Sequence, residues 1–177
     1  LCISQAELKK FITPLLGREF TLDDDIIRWR IPVCYENRYA PDIEDVSRSL
    51  KVSASEIIKQ HTSVELEVFM MGFLPGFPYL GLLPEIFDLP RRVEPRVHVP
   101  PRSISVAARQ TTIYTIDSPG GWHLIGQTPV DFYNPNRENP VLVKAGDKVS
   151  FFAIDSKEYP AVRRALKADE YPLIMDC

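Results

Sequence analysis

The chain has 177 residues, enough to bury a sizeable core in one large domain or two small ones. Its net charge of −3 gives no electrostatic case for nucleic acid or an anionic membrane. No apolar run is long enough to span a bilayer, and the N-terminus lacks a signal-peptide pattern. Cys2, Cys34 and Cys177 are too far apart for metal-ligand spacing or a disulfide framework, which reads as reduced thiols in a cytoplasmic protein. A start at Leu1 without methionine leads us to expect further residues upstream.

In chain order, Ser4-Gln5-Ala6-Glu7 fits a capping box that opens a short helix bearing Leu8, Phe11 and Ile12. Residues 26–35 read as a strand, placed at a sheet edge because Pro32 cannot donate to a ladder. Ile43, Val46 and Leu50 fall at helical spacing over 42–50, and Ser53-Ala54-Ser55-Glu56 caps a second helix carrying Ile57, Ile58 and His61. Two adjacent short helices resemble a helix-turn-helix reader. The acidic chain and the poorly basic second helix argue instead for packing against a sheet. Residues 64–71 alternate in polarity as a strand, and the expected domain boundary lies here. A small N-terminal α/β domain over 1–66, missing its upstream part, is then followed by a β-barrel over 67–177.

Beyond this point proline and glycine dominate, with 16 prolines in the chain, most of them between Pro75 and Pro140. That punctuation predicts short strands joined by stiff turns, closed into a barrel or sandwich: the fold class is α+β. Strands are expected at 104–107, 111–117, 122–125, 141–143 and 148–154, with a tight turn at Ser118-Pro119-Gly120-Gly121 and a closing helix over 157–167.

The chemistry-bearing residues are dispersed. His61, His98 and His123 have no neighbouring metal-ligand partners, so no metal site is expected. His61 is the leading proton-transfer candidate, since it ends a helix beside the expected boundary. Arg91, Arg92, Arg96 and Arg102 cluster on a loop, where a guanidinium fork suits a carboxylate or phosphate unless these are merely solvated charges. Gln110, Thr111, Tyr114 and Thr128 are neutral donors and acceptors suited to an amide or lactam, or to strand and turn bonding. Phe73, Phe77, Tyr79 and Trp122 would supply core or pocket wall. Gly120 and Gly121 would let backbone approach a ligand. Neither a serine-nucleophile elbow nor a phosphate-binding loop occurs, so no cofactor is bound by a recognisable motif.

Three stretches in this order, GFLPGFPYLG, PRRVEPRVHVP and SISVAARQTTIYTIDSPGGWHLIGQTP, resemble the family of the 5-oxoprolinase B component. That family also holds allophanate hydrolase subunit 1 domains of urea carboxylases and the kinase inhibitor KipI. The resemblance implies a cyclophilin-like barrel behind the N-terminal domain. It implies partnership with a homologous allophanate hydrolase subunit 2, or KipA-like, protein (the 5-oxoprolinase C component) and, in 5-oxoprolinase, with a LamB/YcsF-type A component. The implied activity is ATP-dependent opening of the 5-oxoproline lactam to glutamate. Carboxyl transfer to urea and inhibition of a histidine kinase are the alternatives, separable by co-purification. A prolyl isomerase reading would rest on the barrel alone. The implied catalytic residues are His61, Gln110 and Tyr114, and the implied substrate-binding residues are Phe73, Thr111, Ser118, Gly120, Gly121, Trp122 and Thr128, to which the arginine cluster adds Arg96. The chain departs from the family pattern at Pro101-Arg102, at Thr112 where a glycine is usual, and at Gln127 where an arginine is usual. Each bears on which substrate is accepted.

Overall fold

The strand expected over 26–35 forms as Arg28–Cys34 (β1), and it closes the main sheet of the molecule. The structure, a computed structural model, describes residues 26–168 and 170–173, so the helix expected to open at Ser4 lies outside the described residues. After β1 come helices Ile43–Leu50 (α1) and Ala54–Thr62 (α2), then strands Glu65–Met71 (β2), Pro78–Gly81 (β3), Arg96–Val99 (β4) and Ser103–Ala107 (β5). Strands Gln110–Ile113 (β6), Ser118–Gly120 (β7), His123–Gln127 (β8) and Lys148–Ile154 (β9) precede a last helix, Glu158–Lys167 (α3).

Seven of these strands form a closed barrel in the order β1-β8-β5-β6-β3-β2-β9, while β4 and β7 form a separate two-stranded ribbon. Closure comes from β1, which runs parallel to β9 from Arg28↔Lys148 to Cys34↔Ile154. Against β8 it pairs only at Cys34↔Gln127. Pro32 is therefore tolerated inside a barrel strand, contrary to the edge placement, because the β8 side of β1 carries no ladder at that point.

The expected division at residues 66 and 67 falls inside β2, and β1 lies in the same barrel as the later strands. Hydrophobic alternation explains why. Trp29, Ile31 and Val33 of β1 join Leu66, Val68, Leu80, Ile104, Val106, Ile113, Ile125, Val149 and Phe151 in one buried core. The helices pack on the barrel, α1 against β8 and α2 against β9, and their Ile43, Val46 and Ile57 join the same core. Ser53 caps α2 as its sequence predicts, its Oγ accepting from the Glu56 N–H at 3.2 Å. Pro160 sits in the first turn of α3, where its missing N–H has no intrahelical partner to lose.

The Ser118-Pro119-Gly120-Gly121 stretch is not a hairpin turn. Ser118 to Gly120 is itself extended, with Gly120 opposite Arg96 and Ser118 opposite Val99. The strand before it ends at Ile113 rather than residue 117, and over 141–143 only an isolated bridge, Tyr133↔Val141, is found. The tight turn lies instead at Ala108-Arg109 between β5 and β6, where both residues have positive φ, 48° and 59°. That is the pattern of a twist-matched two-residue hairpin, here built without glycine.

Candidate functional site on the outer barrel face

Strand β6 distributes the predicted site residues, because successive side chains point to opposite faces. Thr111 and Ile113 face the barrel interior; Gln110 and Thr112 face outward. The inward residues meet a sealed cluster. His61 is completely buried, with Nδ1 2.8 Å from Tyr35 Oη and Nε2 3.1 Å from Thr111 Oγ1. Its ring stacks on Phe151 at 4.7 Å and meets the Phe87 ring edge-on. Burial lowers its pKa to about 3, so the imidazole is neutral at physiological pH, with one nitrogen donating and one accepting. Burial raises the Tyr35 pKa in the same way. His61 and Thr111 are therefore interior polar residues rather than the expected proton mover and substrate contact. The expectation failed because a histidine ending an amphipathic helix points to the core as readily as to a cleft.

The outward residues share one face. Tyr79 lies opposite Thr112, and Gln110 lies between Gly81 and Ala107, neither of which crowds it. A chain of rings runs through and beneath this face: exposed Phe73 meets buried Phe77 at 5.3 Å, and Phe77 meets half-buried Tyr79 and buried Tyr114 at 5.2 Å. Tyr79 in turn meets Trp122 at 6.1 Å, and the Arg91 guanidinium lies 5.6 Å from the centre of the Trp122 ring. The segment carrying Arg91 is tied to both flanks of the face. Ala108 N–H donates to the Leu89 carbonyl at 2.8 Å, and His123 Nε2 donates to the Pro90 carbonyl at 2.9 Å. Arg92 N–H donates to the Gly121 carbonyl at 2.7 Å. Gln110, Tyr79, Trp122 and Arg91 are thus held around one surface.

Several candidates serve this surface without reaching it. Tyr114 is buried, its pKa raised first by desolvation, and its hydroxyl lies where a Cβ on Gly120 would stand, 2.1 Å away. The bare backbone of Gly120 admits this tyrosine, and the Gly121 carbonyl accepts from the Arg92 N–H. Thr128 is buried and its Oγ1 accepts from the Val130 N–H at 3.2 Å. Ser118 is buried, and its Oγ has no protein partner, as is true of the outward-facing Ser105 and Thr112 hydroxyls. Phe73 is 61% exposed and forms the outer end of the aromatic chain.

Arg96 does not offer its fork to a ligand. It donates from Nη1 to Asp42 Oδ2 at 2.8 Å and from Nη2 to Oδ1, while Arg92 reaches the same carboxylate at 3.3 Å. Asp42 also accepts the Leu124 N–H at 2.7 Å, so one buried carboxylate lashes the β4–β7 ribbon and its approach segment to β8. Sequence reading missed Asp42 because it stands at the N-cap of α1; its side chain makes no cap bond. Arg91 and Tyr79 were visible only as members of a charge cluster and an aromatic stretch.

Two cavities lie elsewhere. The larger, about 1130 Å³, is bounded by Ile26, Trp29, Met71, Val141 and Leu173 and contains none of the predicted site residues. Chemistry argues for the aromatic face despite that volume, since the larger cavity is mainly apolar in its lining. Among the described residues no group of histidine, cysteine and carboxylate side chains is placed to hold a metal, and no helix is long and apolar enough to cross a membrane.

A seven-stranded closed barrel with an appended two-stranded ribbon is a cyclophilin-like domain within an α+β chain. Residues 2–143 match the family described as carboxyltransferase domain, subdomain C and D, and the chain belongs to that family. It is 43% identical over 133 residues to the B component of 5-oxoprolinase from Bacillus subtilis (strain 168), covering 75% of this chain and 55% of that relative. It therefore spans little more than half the length of that protein. A conserved uncharacterized protein from Pyrococcus horikoshii superposes with a TM-score of 0.72 at 35% identity, covering 88% of this chain and 72% of the other. The K. lactis urea amidolyase superposes with a TM-score of 0.72 at 16% identity, covering 96% of this chain and 12% of that one, a likeness of fold.

Proposed function

We propose that this chain acts as the B component of an ATP-dependent 5-oxoprolinase-type complex in the cytoplasm, opening the 5-oxoproline lactam to glutamate. The observation that carries the reading is the outer face on which half-buried Gln110 and Tyr79 and exposed Arg91 lie, with buried Trp122 between Tyr79 and Arg91. Such a face is half of a chamber. A homologous cyclophilin-like protein would supply the other half, and a LamB/YcsF-type protein would complete the assembly. Gln110 has no side-chain partner among the described residues and offers an amide donor and acceptor to the lactam. Trp122 and Tyr79 provide flat walls for the ring, and Arg91 a fixed cation for the substrate carboxylate. Tyr114 stays protonated and positions the ribbon. ATP would be consumed by the complex.

The test is reconstitution. The chain should co-purify with its homologous partner, and the full assembly should convert 5-oxoproline to glutamate only with ATP. Gln110→Ala should lower turnover at least about tenfold, roughly 1.4 kcal/mol of transition-state stabilisation. Wild-type turnover in that variant removes Gln110 from the site. Inhibition of a histidine kinase by the chain alone, without partner or lactam consumption, would replace this reading with the inhibitor one.

A further inference from the structure

A second, smaller cavity of about 230 Å³ lies on the side of the barrel that carries α3, away from the aromatic face. Arg163 and Lys167 of α3 line it from one side, and Asp131, Asn134 and Arg137 of the segment following β8 line it from the other. Three cationic side chains thus meet a single carboxylate, in a chain whose net charge is −3. Asp131 is already served, by Arg163 at 2.8 Å and by Arg102 at 3.4 Å.

The remaining donors are oriented rather than neutralised. Arg163 Nη1 also donates to the Pro129 carbonyl at 2.6 Å, and Arg137 Nη1 donates to the Asp131 backbone carbonyl at 2.9 Å. Arg163 is paired with Asp131, whereas a carbonyl alone fixes the Arg137 guanidinium and leaves its charge standing. Lys167 meets neither a carboxylate nor a carbonyl among the described residues, although it borders the cavity. Asn134 Oδ1 accepts the Asn136 N–H at 3.0 Å, leaving its amide nitrogen as one more donor. Asp131 balances one of the three lining cations, and the two that remain repel one another unless a further anion joins them.

The volume is below the roughly 300–1,000 Å³ of pockets for drug-sized ligands, so it suits a small group or one end of a longer molecule. Guanidinium forks and a lysine ammonium suit oxygen-rich anions. Their approach from two opposed elements fits a tetrahedral group better than a planar one. We infer that the cavity between α3 and the segment after β8 binds a phosphate group, free or at the end of a nucleotide. The inference is independent of the lactam reading, because no residue of the aromatic face borders this cavity.

Calorimetric titration of the full chain at low ionic strength with inorganic phosphate, and separately with ATP, tests it. Saturable phosphate binding is expected, weakened at least tenfold in Lys167→Gln, whose exposed side chain can be changed without disturbing the fold. Arg137→Gln should weaken it similarly, with an unaltered melting temperature in Lys167→Gln as the folding control. ATP displacing phosphate with higher affinity supports the site and identifies its source as a nucleotide. Phosphate binding that ATP leaves untouched supports it and identifies the free ion. No saturable binding of either probe overturns the inference. So does wild-type affinity in both variants, or acetate binding as tightly as phosphate.

Discussion

Gln110 and Thr111 are consecutive in β6, yet one faces the outer surface of the barrel and the other a sealed polar cluster with His61 and Tyr35. The pleat of a single strand separates them. The inward cluster satisfies its polar atoms within the barrel, which makes it part of the stability of the fold. The outward face leaves Gln110 without a side-chain partner among the described residues and sets Arg91 on the face of a ring. Polar side chains of the same chemistry acquire opposite roles through position alone.

The comparison is most sharply tested by removing His61. His61→Ala empties a packed ring site and strands two buried hydroxyls, so a loss of about 3–5 kcal/mol in unfolding free energy is expected. Gln110→Ala should stay within about 0.5 kcal/mol by the same denaturant measurement. Equal costs at the two positions would erase the distinction between the two sides of β6. Gly120→Ala comes next. Its Cβ collides with the Tyr114 hydroxyl, and overpacking of this kind costs about 1–3 kcal/mol by chemical denaturation.

Acid dependence separates the regions further. His61 is held neutral in the folded state, with its pKa lowered to about 3, while in the unfolded chain it takes up a proton near pH 6.5. Above pH 6.5 both states are neutral and the group adds no pH dependence. As pH falls from 6.5 toward 3 only the unfolded state gains the proton, so stability declines by up to about 1.4 kcal/mol per pH unit. His61→Gln should show a shallower decline than the parent over that window, and parallel curves would refute the sealed neutral imidazole. The smallest effect concerns the hairpin that presents Gln110. Ala108 holds positive φ at an energetic cost, and Ala108→Gly should raise stability by about 0.5–1 kcal/mol in thermal melts.

The regular elements of the first half were legible because periodicity and capping are local: both helices and β2 form within a residue or two of their expected limits. Membership of β1 in the barrel was not, since only its pairing with β9, more than a hundred positions later, reveals it. Proline and glycine signals marked the second half as short strands but misled at Gly120, where the missing Cβ accommodates the chain's own Tyr114. At the site, Gln110 and Trp122 were readable as polar and aromatic candidates. Arg96 and its carboxylate Asp42 were not readable as a pair, because 54 positions separate them in sequence. Long-range ion pairing leaves no periodic trace. It turns an apparent ligand fork into an internal brace.

The parallel union of β1 with β9 also governs how the molecule can be assembled. The seam joins early residues to late ones, so the loop to be ordered is nearly the whole domain, and such high contact order slows folding. A nascent polypeptide emerging from the ribosome must wait for Ile154 before its barrel can shut, carrying β1 and β2 as unshielded edges in the meantime. Shortening the gene from its 3′ end past β9 would therefore yield an aggregating product, whatever remains of the aromatic face.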